Sequence, residues 1–507
     1  MGEQKEPVEN AVDGPIETLG GRVHVRLDEQ TQVTSLGQLA FFAEYLNTTG
    51  VFQAWEDDCP LRYTSPNASR VRDVLGTWVL SVLSGHRRYA HITALRGDGV
   101  SAQVLGMKRV VSEDALRRAL SRMAAADADV WLQAHLLRSV RPALTTPWVL
   151  DVDTTIKSLF GAQAGAVVSY NPHKPGRPSH ALHTYWVGNL RLVLDVQLSA
   201  GNEHASKHAL PGLVDLLDGL NACERPALVR GDCGFGNEPV ISELEARSQG
   251  YLFKLKQSPL VKRLLRGAFV LNEGWSEPGR HDQGLRAKES TLRLSTWPSA
   301  RRVVVLRRAV RDGLAVEVPN AQGELDLAIL NESDLRVWEY VVLVTNTAHE
   351  PQAIAQLYRD RADAENGFDE LKNQWGWGGY TTQDIERCRT AARGVALVYN
   401  WWSWYCRAAK PTARMEAITS RPLLLSAVGR SVQHAGQRVL YMSPLHGAIA
   451  NVRALIINVK TALRAAIETA EQLGSNDRWR TFIVYVVSRI TAAAGPLRLS
   501  GPAISTG

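Results

Sequence analysis

The sequence has no run of 18 or more apolar residues, and its opening stretch "MGEQKEPVEN" has no apolar core, so neither a membrane span nor a secretory signal is expected. Cysteine is scarce. There are five in 507 residues and no CxxC pair, which argues against a disulfide framework and suits a reducing cytosol. GxSxG and GxxxxGK[ST] are both missing, so acyl transfer from a nucleophile elbow and ATP-driven work are unsupported. His180 with His183 and His204 with His208 form two pairs in different elements with no cysteine to join them, which makes zinc the weaker reading. No internal repeat is found. What is present is a 45% hydrophobic chain, long enough for two to four domains and a sizeable core, with a net charge of +7 that favours a polyanionic partner. A soluble, cytoplasmic protein is expected.

Composition changes along the chain mark its organisation. Residues 1–22 are polar and contain Gly and Pro, as in a loose tail. Residues 23–145 have helical periodicity, as in "SLGQLAFFAEYL", and are expected to be all-α. Within them, "RYAHITALRGDGVSAQVLGMKRVVSEDALRRALSRM" reads as three short helices, the last capped by Ser112 and projecting Arg117, Arg118 and Arg122. Two readings stay open for these arginines: a helix-turn-helix surface that meets DNA, or a solvated basic face. From 146 to 258 the strands "WVLDVDTT", "AGAVVSY", "HALHTYWVG" and "LRLVLDVQLSA" precede helix, strand, helix and strand, which describes a mixed sheet with helices packed on it. Residues 259–346 are β-rich with no convincing long helix, as in an inserted β domain. Helix returns at Glu350, runs through 358–372 to the "WGWGG" stop, and dominates both 347–410 and 411–507. "YNWWSWYC" has helical spacing and is expected to pack in the core.

The candidate chemistry is acidic. Asp151 and Asp153 stand two apart in an apolar strand and so share a face, where a carboxylate is costly unless paired or metal-bound. Asp232 ends "PALVRGD" at a Gly-flanked turn, where open α/β sheets collect ligands; alone it reads better as a turn former or helix cap. Glu365 belongs to "YRDRADAENGFDELK", in which Tyr358, Arg361, Glu365 and Lys372 fall within about 60° of one helix face. Alone, Glu365 is half of an i,i+4 pair with Arg361. Together, acids from two strands and a helix can converge on a pair of divalent cations, magnesium or manganese by their oxygen-only ligands. Arg361 and Lys372 are then placed for phosphates and Tyr358 for a further hydrogen bond. The loop "HKPGRP" adds Lys174 and Arg177, as a DNA contact or as a solvated turn.

With those residues in view, the chain resembles the DDE insertion-sequence transposases, in particular the cut-and-paste group with a Tyr-Arg-Glu-Lys signature at spacers of two, three and six residues, which Tyr358, Arg361, Glu365 and Lys372 match throughout. "LDVDTT" is similar to the first acidic strand of that family, and "RGDCGFGNEPVISELEARSQGYLFKLK" to its second acidic block. Cys233 stands there where a small hydroxyl residue is more usual. The resemblance runs from about residue 30 to 410. It implies an RNase H-like fold and a catalytic triad of Asp153, Asp232 and Glu365 that holds two Mg²⁺, with Mn²⁺ able to substitute. It is the Asp-x-Thr match of Asp153 and Thr155 that favours Asp153 over Asp151. It further implies binding of the element's terminal inverted repeats and of target DNA, a homodimer in the synaptic complex, a hairpin route for the second strand, and a cytoplasmic protein held at the nucleoid through DNA. The β-rich block would help to open the DNA end, with Trp275 or Trp297 as the base-stacking candidates and Trp338 as the weakest. The rival readings are a metal-dependent nuclease or resolvase on the same fold, and a non-catalytic DNA-binding relic; the presence of all three acids disfavours the relic.

Overall fold

The computed structural model describes residues 14–28, 30–169, 174–202, 205–277, 284–309, 328–331, 336–469 and 474–494. The expected loose tail lies outside the described residues up to residue 13; from there the chain forms a hairpin of β1 (Gly14–Thr18) and β2 (Gly21–Val25), then β3 (Gln32–Thr34). Six helices follow: α1 (Leu39–Thr49), α2 (Val51–Asp57), α3 (Val71–Leu83), α4 (Gly99–Val104), α5 (Glu113–Arg122) and α6 (Ala125–Val140). The three short helices expected before residue 123 are a 3₁₀ turn at Tyr89–Leu95, α4 and α5, and the Ser112 hydroxyl accepts from the Ala115 N–H at 3.2 Å.

The middle of the chain supplies β4 (Val149–Ser158), β5 (Val167–Val168), β6 (Pro178–Val187), β7 (Leu192–Ala200), α7 (Ala205–Asp218), β8 (Leu228–Gly231), α8 (Glu238–Ala246) and β9 (Tyr251–Lys254). β6 runs antiparallel to β4 and β7 antiparallel to β6, while β8 and β9 run parallel to β4. The order β7-β6-β4-β8-β9, with β6 alone reversed, is the RNase H-like arrangement implied by the resemblance. β4 and β6 are buried along most of their length, which explains their near-continuous apolar sequence.

Residues 259–346 depart from expectation in two ways. They open with a helix of 13 residues, α9 (Pro259–Leu271), whose Val261, Leu265 and Ala268 are buried at helical spacing. Ser258 caps it with Pro259 in the first turn, and that start signal outweighs the β-rich composition of the residues after the helix. Then β10 (Arg286–Leu292), β11 (Arg301–Ala309), β12 (Ala328–Asn331) and β13 (Arg336–Thr345) do not make a sheet of their own. β13 pairs antiparallel with β9, Leu343 opposite Lys254 and Thr345 opposite Leu252, so one ten-stranded sheet runs from β10 to β7. Periodicity identifies a strand but not its partner.

The last part contains α10 (Pro351–Arg359), α11 (Ala362–Gln374), α12 (Ile385–Ala409), α13 (Ala417–Leu424), β14 (Gly429–His434), β15 (Gln437–Met442), α14 (Ile449–Thr469) and α15 (Ser475–Ala494). Neither end is all-α: β3, β14 and β15 form a three-stranded sheet between the two. The β14–β15 hairpin turns through Ala435 and Gly436, both at positive φ, and Ala435 lacks the Asn or Asp that normally signals such a turn. As expected, the Trp-rich segment of α12 packs inside, where Trp401 meets Trp55 of α2 at 5.4 Å between rings. Trp479 of α15 donates its indole N–H to the Arg138 carbonyl of α6, so the core of the N-terminal helices is completed from the C-terminal end. Among the described residues no helix is long and apolar enough to cross a membrane.

Candidate active site

The parallel register of β4 and β8 sets the first two acids. Val152 lies opposite Gly231, the last residue of β8, so Asp153 and Asp232 are the next residues on neighbouring chains, near enough for the Asp232 charge to act on Asp153. Asp232 also behaves as a turn former, its Oδ1 accepting from the Gly234 N–H at 2.9 Å. Burial raises the Asp153 carboxyl to about 6, against the pull of the Arg361 guanidinium and with the nearby Asp232 charge adding to the rise. A carboxylate poised in this way is common where chemistry is done.

Asp151, on the same strand, is differently placed. Both its oxygens accept from Arg230 of β8, at 2.5 and 2.7 Å, and a third Arg230 N–H goes to the Leu357 carbonyl of α10. The pair is buried, with side-chain exposures of 4% and 1%.

Tyr358, Arg361, Glu365 and Lys372 do not share one continuous helix. α10 ends at Arg359 and α11 begins at Ala362, and between them the Arg361 N–H bonds the Tyr358 carbonyl at 3.1 Å, a three-residue turn inserted in the four-residue ladder. Asp360 and Arg361 keep helical dihedrals, so the chain scarcely leaves its course and the four side chains still gather. Arg361 is buried and links two acids: Nη1 donates to Asp153 Oδ2 at 2.8 Å and Nη2 to Glu365 Oε1 at 2.7 Å. Burial disfavours its charge, but Asp153, Tyr358, Asp232 and Glu365 more than compensate and raise its pKa. Glu365 remains exposed for 58% of its side chain. Burial pushes the Tyr358 hydroxyl up and the Lys372 ammonium down, with Asp153 acting to keep Lys372 charged. Among the described residues no three His, Cys, Asp or Glu side chains are grouped closely enough to hold a metal ion, because Arg361 stands between Asp153 and Glu365.

The remaining candidates divide. Lys372, Arg117 and Lys174 line one groove with Thr155 of the Asp-x-Thr pair. Arg118 is exposed on α5, Arg122 lies over the Tyr63 ring at 5.5 Å, and Arg177 stacks on the exposed Phe160 ring at 5.0 Å. Of the tryptophans, Trp297 is buried with the Arg301 guanidinium 4.9 Å from its ring, and Trp338 is buried against Arg307; neither offers a face to a base. Trp275 is half-buried and has the Arg307 guanidinium over its ring at 4.0 Å. Proximity to a turn did not expose Trp297, since an arginine from β11 covers it. His183 is buried between the Thr154 and Ser199 hydroxyls, 6.5 Å from the His208 ring, a hydrogen-bonded core histidine rather than a ligand cluster.

A family model described as transposase DDE domain group 1 matches residues 18–461. No curated protein matches the chain. Among solved structures, a piggyBac transposase synaptic complex with hairpin DNA is matched at 10% sequence identity and a TM-score of 0.35, over 94% of this chain and 89% of that one.

Proposed function

Because the chain belongs to the transposase DDE domain family, whose chemistry uses a divalent metal, we propose that it binds the ends of an insertion sequence, cleaves them by two-metal phosphodiester chemistry through hairpin ends, and joins the 3′-hydroxyls to target DNA. The observation that supports this reading is that Arg361 bonds both Asp153 of β4 and Glu365 of α11, with Asp232, just past the end of β8, near enough for its charge to act on the same guanidinium. An all-oxygen donor set suits Mg²⁺ or Mn²⁺. When bound, such a pair of ions supplies charge stabilisation for the attacking and leaving oxygens. Asp153 is fixed by the sheet and Asp232 by the turn at the end of β8, whereas the carboxylate of Glu365 is solvent-exposed and tied to Arg361, so Glu365 is the ligand able to turn toward the other two. Arg361 keeps the acids together as their counter-charge, and Lys372, beside Asp153, meets a phosphate. Two copies of the chain pair the two element ends.

The test is a time course on DNA carrying the inverted repeats that flank the coding sequence, resolved on denaturing gels. Metal-dependent nicking, then a slow-migrating hairpin, then joined product is expected. Nicks on both strands with neither hairpin nor joining would leave a nuclease and overturn the transposase reading.

A further inference from the structure

Beside the acids runs a groove of about 680 Å³. One wall is the end of β4 and the chain beyond it, from Thr155 to Phe160; another is the C-terminal end of α11 with the turn Gly378–Thr381. The third comes from the N-terminal helices, as Arg87, Arg88 and Tyr89 with Glu113 and Arg117 of α5. Among the described residues six cations line it, Arg87, Arg88, Arg117, Lys157, Lys174 and Lys372, against the single acid Glu113. They come from several separate elements, which a merely solvated helix face would not produce.

The Arg87–Arg88 pair is held by backbone against backbone. The Tyr380 N–H donates to the Arg87 carbonyl at 2.8 Å, and a Cβ on Gly379 would stand 1.8 Å from that same oxygen. Gly376, at φ +81°, has the His86 carbonyl 2.3 Å from where its Cβ would lie. Only glycine allows the two chains to approach so closely. Lys157 donates to the Gly379 carbonyl at 2.6 Å and pins the turn from the strand side, while Arg87 donates to the Asn373 carbonyl at the end of α11. The Arg88 side chain is exposed and has no hydrogen bond or ion pair among the described residues.

We infer that this groove carries the phosphodiester backbone of one DNA strand past Thr155 and Lys372 to the acids, with Arg88, the residue after the Arg87 backbone that the glycine turn holds, as a phosphate contact supplied by the N-terminal region. The inference rests on the transposase reading for its ligand. Arginines and lysines of this kind fix the register of a nucleic acid and bind it whatever its sequence.

The experiment follows anisotropy of a labelled mixed-sequence duplex of roughly 30 base pairs against salt, with the full-length protein. Arg88→Ala should reduce the slope of log K against log salt by about 0.9 and weaken binding several-fold near 0.15 M salt, and Arg88→Lys should restore most of both. Unchanged affinity and slope in Arg88→Ala, at wild-type melting temperature, overturns the groove. Cleavage assayed in parallel separates the two claims: intact metal-dependent cleavage with an unchanged slope rejects the groove alone, and a reduced slope in a protein that never cleaves rejects the transposase reading and keeps the groove.

Discussion

Asp151 and Asp153 lie two residues apart on one strand, face the same way and are each met by an arginine, yet they are put to different use. Asp151 spends both oxygens on Arg230 in a closed pair at 1% side-chain exposure. Asp153 gives one oxygen to an arginine that divides itself between two acids, and stands near enough to a third carboxylate to feel its charge. On the proposed function, the closed Asp151–Arg230 pair serves the scaffold, whereas Asp153, whose arginine answers several acids, is the carboxylate left to meet a ligand. The difference arises from the neighbouring strand, which presents Arg230 opposite Asp151 and ends at Gly231, one residue before Asp232.

The sharpest way to break this contrast is to remove each acid in turn. Asp153→Ala or Asp232→Ala should depress metal-dependent cleavage on the order of 10³-fold or more while leaving DNA binding and melting temperature close to wild type. Asp151→Ala should do the reverse, leaving a buried guanidinium unpaired and destabilising the fold by about 3–5 kcal/mol in denaturant titration. Normal cleavage by Asp153→Ala, together with a stable but inactive Asp151→Ala, would exchange the two roles.

A smaller effect concerns pH. Burial raises Asp153 from 3.8 to about 6, so the folded state holds its proton more tightly than the unfolded chain does. The resulting stability is fully present below pH 3.8 and is lost as pH rises through about 6. Metal-free protein should therefore lose stability over that interval, and Asp153→Asn should flatten the fall in urea midpoints measured across it. A decline of equal size in Asp153→Asn would place its origin elsewhere. The least effect on stability is expected from Glu365→Gln, under about 1 kcal/mol, since the exposed half of the Arg361 bridge is screened. Its cleavage should nevertheless fall steeply, and wild-type cleavage rates would remove Glu365 from the site.

The sequence made some of this legible and hid the rest for definite reasons. Asp232 could be found because a strand ending in Gly-Asp at a turn exposes an acid, and the Arg361–Glu365 bond could be found because residues four apart on a helix meet. The second bond of Arg361, to Asp153, spans 208 positions and leaves no local trace. The β-rich strands were recognisable from their composition, but that they continue the sheet that carries Asp153 depends on β13 reaching β9, a pairing no periodicity encodes. Arg87 and Arg88 carried no signal either. Their placement is set by Gly376 and Gly379, almost 300 positions away, whose missing side chains matter only once the two backbones touch.

The interleaved aromatic core has a consequence for how the protein is made. Trp55 waits for Trp401, and the end of α6 waits for Trp479, so the first 140 or so residues lack a complete interior until the chain is nearly finished. At synthesis rates of about 5–20 residues per second, that interval is on the order of 20–70 s, during which apolar surface must be shielded by other means. The N-terminal helices are thus not a cassette: cut out or grafted onto another protein, they would leave behind the part of their core that Trp401 and Trp479 supply.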